Sequence, residues 1–113
     1  MTQEEINNYN RRCAEFLGYM NTTPTDKDFN IYQNKDGKML ESMSMKFHSD
    51  WNWIMEVVEA IEKKGYEIDI FSNCVEICDT PDENYITEAV GKTKKEAVVQ
   101  AINQFLIWYN KNT

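Results

Sequence analysis

Between Trp51 and Tyr109 the apolar residues change their spacing twice. Trp51, Ile54, Met55, Val58 and Ile61 recur every three to four positions, the repeat of one helix face. Glu56, Glu59, Glu62 and Lys63 cover its wet side. From Tyr66 the repeat drops to two. Tyr66, Ile68 and Ile70 alternate with Glu67 and Asp69, and Val75 and Ile77 alternate with Cys74, Glu76 and Cys78. Ser72-Asn73 between these runs leaves room only for a tight reversal. A third strand, Tyr85 to Val90, follows the turn cluster Asp79-Thr80-Pro81-Asp82-Glu83. The helical spacing then returns: Ala97, Val98, Ala101, Ile102, Phe105, Leu106 and Tyr109 form one face, with Ile107 and Trp108 at its flanks. Alternating strands of this kind build an antiparallel sheet that is wet on one face and must bury the other. The two amphipathic helices supply its cover.

Capping residues set the boundaries. Ser49 or Asp50 starts a helix over 50–64 that Gly65 stops, and Thr93 with Glu96 opens one over 94–111. Thr2 and Glu5 repeat that pattern before a helix over 3–17, whose stripe is Ile6, Tyr9, Cys13, Phe16 and Leu17 and which ends at Gly18. Residues 19–46 hold the breaker Thr22-Thr23-Pro24-Thr25 and a two-residue hairpin signal, Asp36-Gly37, flanked by Phe29, Ile31 and Tyr32 and by Met39 and Leu40. The expectation is one α+β domain over 1–113, with helices packed on a three-stranded antiparallel sheet in the order α–hairpin–α–β–β–β–α. Residues 47–112 are its core and 19–46 a variable hairpin or loop excursion.

A chain of 113 residues with fourteen aromatics can fill one core of this size. Its longest apolar runs, such as Phe105 to Tyr109, fall far below the roughly 18–20 residues that span a bilayer. The start MTQEEINNYNRR lacks the apolar stretch of a signal peptide, and three cysteines cannot complete a disulfide framework, so a reduced, cytoplasmic setting is expected. Of the net charge of −7, the segment 50–90 carries eleven acidic and two basic side chains, while 91–113 carries four basic and one acidic. An acidic body disfavours nucleic acid and anionic membrane and favours basic partners or plain solubility.

No catalytic, cofactor or metal residues are expected. His48 with Cys13, Cys74 and Cys78 has no zinc spacing, because a strand separates Cys74 from Cys78 by about 13 Å. No local signature supports a Cys–His nucleophile. Asp79 to Glu83 lacks the glycine and spacing of a calcium loop, and Gly91-Lys92-Thr93 lacks the earlier glycine of a phosphate loop.

The stretch VGKTKKEA, Val90 to Ala97, resembles the close of a double-stranded-RNA-binding domain, which shares the final α–β–β–β–α order. Lys94 and Lys95 match that resemblance. Val98 stands where a third basic residue is required, and Ser72-Asn73 is too short and uncharged to enter a minor groove. The lysines therefore read as a solvated helix start, and no nucleic acid partner is expected.

Trp53, Trp108 and Tyr109 either fill the core or anchor a partner or self-association surface, since interface hot spots are rich in aromatics. The acidic residues Glu56, Glu59, Glu67, Asp69 and Glu76 complete that candidate surface.

Three segments together resemble the phage ABA sandwich domain family, small proteins of phages and prophages. They are Asn10 to Tyr19, a helix ending in a Gly-aromatic pair; Phe47 to Glu59, a Ser-Asp cap before an amphipathic helix; and Thr93 to Leu106. The resemblance covers most of the chain except residues 20–45. It departs at Asn103, Gln104 and Phe105, where small residues are common. It marks caps and core positions and implies a phage or mobile-element accessory protein, with no functional residues to transfer. The expected function is a non-enzymatic binding module whose acidic surface docks on a basic host or phage protein and modulates host defence. The alternatives are an oligomer that sequesters a small ligand or nucleotide and, third, the RNA-binding domain.

Overall fold

The computed structural model describes residues 1–26, 29–79 and 84–113. Among these described residues, three α-helices and two three-stranded antiparallel sheets make an α+β fold. Helix α1 spans Gln3–Phe16, and its capping box closes as the sequence implies. The Thr2 hydroxyl accepts from the Glu5 N–H at 3.2 Å, and the Glu5 carboxylate accepts from the Thr2 N–H at 3.3 Å. Helix α2 spans Trp51–Lys63, with the Asp50 carboxylate accepting from the Asn52 N–H at 2.9 Å. Its buried stripe is Ile54, Val57, Val58 and Ile61. Met55, expected in that stripe, is exposed, and Val57 takes its place. The reason is angular: Met55 lies about 100° around the helix from Ile54, off the centre of the buried face.

Strands β4 (Tyr66–Phe71), β5 (Cys74–Asp79) and β6 (Asn84–Val90) form the larger sheet in that order. Phe71 pairs with Cys74 across the two-residue reversal Ser72-Asn73, in which Ser72 has φ +55°. Val75 and Ile77 are fully buried on the inner face, while Ile70, expected beside them, is exposed at the hairpin end of the edge strand β4. The turn cluster after Asp79 lies outside the described residues. The β5–β6 register shifts between Ile77, which faces Thr87, and Cys78, which faces Tyr85, so Ile86 is the extra residue of a bulge.

Helix α3, Lys94–Asn112, covers β5 and β6, while α2 meets β4 and α1 lies against α3. The Thr93 hydroxyl accepts from the Glu96 N–H at 3.1 Å. The Glu96 carboxylate instead accepts from Gln100 Nε2 at 3.1 Å, one turn further on. One core joins all layers, through Tyr9 and Cys13 of α1, Ile54 and Ile61 of α2, Val75 and Ile77 of β5, and Ile102 and Phe105 of α3.

The expected hairpin between α1 and α2 belongs to a second sheet, β1 (Met20–Asn21), β2 (Ile31–Gln33) and β3 (Met39–Glu41). Its turn is not the two-residue type. Gln33 pairs with Met39, the Asn34 N–H donates to Lys38 O, and Gly37 has φ +84°. This is a three-residue loop, Lys35-Asp36-Gly37, with the glycine in the left-handed position that such loops require. The Asn34 side chain holds it by accepting from the Asp36 and Lys38 N–H groups. Strand β1 is two residues long, too short to leave an alternation in the sequence.

Candidate interaction surfaces

The helices cover one face of the β4–β5–β6 sheet. The side chains of the other face follow from register. Glu67 faces Cys78, which faces Tyr85; Asp69 faces Glu76, which faces Glu88; Phe71 faces Cys74, which faces Val90. The middle row is three carboxylates on three adjacent strands. The row at the hairpin end is apolar, and Phe71 and Val90 are 57 % and 63 % exposed; Tyr85 is 66 % exposed.

Backbone geometry brings the row closer still. The Gly91 N–H donates to Asn73 O at 3.0 Å. In an antiparallel ladder alternate residues turn their N–H and C=O to opposite sides, so Ala89 and Thr87 face β5, and Glu88 and Val90 face away from it. Glu76 and Glu88 are therefore a non-hydrogen-bonded pair, the kind whose side chains stand closest. One oxygen of each carboxylate and the Cys74 sulfur lie within 4.8 Å of one another. Like charges placed directly opposite destabilise a sheet, so this row costs stability where it stands. Two hydrogen bonds soften the crowding: the Tyr85 hydroxyl donates to Glu76 at 3.2 Å, and the Cys74 thiol to Glu88 at 3.8 Å. Desolvation, then the charges of Glu88 and Glu76, raise the Cys74 pKa, which keeps it a thiol that donates. Hydrogen bonding to Glu76 chiefly raises that of Tyr85.

Three of the eight sequence-predicted surface residues, Glu67, Asp69 and Glu76, lie on this face. Glu88, Phe71 and Tyr85 share that face and are not among the sequence-predicted residues. The alternation of Cys74 and Glu76 is legible in sequence, but only the register across the bulge sets Glu88 beside Glu76.

Trp53, Glu56 and Glu59 lie elsewhere, along a groove between α2 and the Lys35-Asp36-Gly37 hairpin. Its larger part holds about 460 Å³ among Phe16, Tyr19, Lys35, Glu56, Glu59 and Lys63; its smaller part, about 230 Å³, reaches Trp53 and Leu40. The Tyr19 hydroxyl donates to Glu56 at 3.2 Å. Burial, then the Glu56 charge, push the Tyr19 pKa up to about 12. Trp53 itself is half-buried, edge-on to Phe47 with ring centres 4.8 Å apart.

Trp108 and Tyr109 pack with Phe105 and Tyr66, and Lys64 Nζ lies 5.7 Å from the Tyr109 ring centre. Compared with family models, curated proteins and solved structures, the chain matches none. Lys94 is exposed at the start of α3, while Lys95 Nζ lies 5.7 Å from the ring centre of Trp51, a cation–π contact that ties it to α2. His48 lines a separate cavity of about 320 Å³ with Ile6, Lys95, Glu96 and Val99. Asn10, buried on α1, places Nδ2 3.2 Å from His48 Nδ1 and donates to Met45 O at 3.0 Å. Nδ1 thus accepts, and desolvation lowers the His48 pKa.

Proposed function

We propose that this protein acts by binding, as a non-enzymatic accessory module of a phage or mobile element that docks on a basic protein through the helix-free face of β4–β5–β6. The observation that carries this reading is the row Asp69–Glu76–Glu88 beside exposed Phe71, Tyr85 and Val90. An apolar patch beside concentrated charge is the composition of a docking face, in which the charges choose the partner and the apolar side chains hold it. The mutual repulsion of Glu76 and Glu88 is relieved when a lysine or arginine comes between them. Modulation of a host defence protein is one use of such a face, and the phage-like resemblance of the three segments is what suggests it.

The test is capture from a bacterial lysate on immobilised protein, wild type against the double reversal Glu76→Lys/Glu88→Lys. Basic proteins held by the wild type at low salt are expected to be lost at about 0.5 M salt, where charges are screened within a few ångströms. They are also expected to be lost from the reversed variant, provided its circular dichroism is unchanged. Identical capture by both proteins would overturn the reading.

The groove beside α2 favours the second reading, a small-ligand or nucleotide-sequestering oligomer. Its volume is in the range of ligand sites, and its lining holds Lys35, Lys63 and Lys64 with Phe16 and Tyr19, groups suited to a phosphate and a base, beside the acids Asp36, Glu56 and Glu59. A thermal shift with ATP or a cyclic nucleotide, lost in Lys63→Glu, would support it; a monomer by light scattering with no shift across a nucleotide panel would remove it.

A further inference from the structure

Strand β6 is the last strand of its sheet, and Glu88 and Val90 turn their N–H and C=O groups outward from it. Among the described residues no hydrogen bond reaches the open side of Glu88 or Val90. An open edge of this kind is a template for another strand. At the opposite edge, the acidic row ends on Asp69, whose backbone faces β5 rather than outward, since Phe71 and Cys74 flank a two-residue turn and Asp69 shares the parity of Phe71. Only at β6 do an open backbone and a carboxylate of the row belong to the same residue, Glu88.

Resting on the docking reading above, we propose that the partner binds as an extended segment added to the β6 edge. It sets a lysine or arginine opposite Glu88 and an apolar residue, two positions along, opposite Val90. Main-chain hydrogen bonds supply affinity and alternate side chains supply selectivity, as in other strand additions. The residue opposite Glu88 lies on the outer face and turns its own backbone toward β6, because partners in a ladder share that orientation. Its ammonium then reaches Glu88 and, behind it, Glu76. The bulge at Ile86 confines the open ladder to the stretch that ends in Glu88 and Val90, so the recognised segment is short. A second copy of this chain is a poor occupant. Antiparallel pairing of two β6 edges about Glu88 sets carboxylate against carboxylate, and the acid that attracts a basic segment also rejects self-pairing.

The probe is the peptide acetyl-Thr-Val-Thr-Lys-Thr-Lys-Thr-amide, fluorescently labelled and titrated into the full chain at low salt. Two analogues carry backbone N-methyl groups, one on the Val and Lys amides, which would face β6, the other on the Thr amides, which would face solvent. The parent and the Thr-methylated peptide are expected to bind, and the Val/Lys-methylated peptide to lose at least tenfold in affinity at unchanged charge. Glu88→Lys is expected to weaken the parent by a similar factor. Equal binding of both methylated peptides overturns strand addition while leaving the acidic face as the docking site. Loss of selectivity for charge, with Glu76→Lys/Glu88→Lys binding as the wild type does, overturns the docking reading itself. No binding of the parent at millimolar concentration overturns strand addition, as does a dimer by light scattering that Glu88→Lys strengthens.

Discussion

Glu88 stands where a charge works against the fold. Its carboxylate lies opposite Glu76 in a close pair and accepts from the Cys74 thiol. Glu88→Gln keeps the shape and removes the charge, so it is expected to stabilise the protein by a few tenths of a kcal/mol up to about 1. Urea unfolding at pH 7 would measure it, and a loss of stability would mean that the pair is not repulsive. The same substitution removes one of the charges that raise the Cys74 pKa. Reaction of that thiol with a disulfide reagent at pH 8 should therefore quicken. His48 gives a second prediction at this scale. Desolvation lowers its folded pKa, and Asn10 donates to the nitrogen that a proton would take. Its unfolded value is about 6.5, so below that pH the unfolded chain binds the proton more readily. Stability is then present above about pH 6.5 and is lost as pH falls through the folded value. Lys95 and Glu96 line the same cavity, one opposing and one favouring the proton, and the lowered value reflects desolvation. The drop in melting temperature from pH 7 to 5 should be smaller in His48→Gln than in the wild type.

At the scale of elements, the join of β6 to α3 explains why Gly91 stands before the lysines that resemble an RNA-binding motif. A Cβ built on Gly91 would lie 2.6 Å from Ala97 N and 3.0 Å from Glu96 C, both backbone atoms of the first turn of α3. Neither can move without shifting the helix, so Gly91→Ala is expected to cost about 1–3 kcal/mol. Thr93→Ala removes the acceptor for the Glu96 N–H and should cost about 1 kcal/mol. Denaturant titration of the two variants separates these effects, and a Gly91→Ala protein as stable as the wild type would mean that the join is loose. These residues also measure what the sequence discloses. Caps and stripes are local, so Thr2, Asp50 and Thr93 announced their helices, and the alternation at Tyr66 to Ile77 announced its hairpin. Met55 misled because a 3.6-residue repeat blurs residues at the margin of a face. The turn at Gly37 differs from the expectation because a glycine that closes a three-residue loop and a glycine within a two-residue turn look alike without pairing. Strand β1 and the neighbours of Glu88 depend on contacts made far along the chain, and no local pattern encodes them.

For the whole molecule, the two sheets differ in how they are held. The β4–β5–β6 sheet buries Val75, Ile77 and Ala89 under α3. The β1–β2–β3 sheet has strands of two or three residues, and its fully buried strand side chain is Tyr32, on the central strand, whose hydroxyl donates to Glu15 of α1 at 3.3 Å. Asn30, also buried, spends its amide on Thr23 O and Asp26 O, within the excursion itself. With only half-buried Leu40 of β3 beside Tyr32 against the common core, the sheet is a unit that can open while the rest stays folded, since local stability follows buried apolar contact. Hydrogen exchange reads this directly. The Thr22, Asn34 and Ser42 amides are bonded to Ile31 O, Lys38 O and Asn30 O, so their exchange reports opening of the small sheet. They are expected to exchange at least about tenfold faster than Val75 and Ile77, a difference of about 1.4 kcal/mol in opening free energy. Tyr32→Ala should speed the first group to the rate of exposed loops and lower the melting temperature as well, because the ring also belongs to the common core. Equal exchange in both sheets would instead make the molecule one cooperative unit. The groove along α2 would then have a rigid wall at Asn34 and Lys35, rather than one that opens with the hairpin.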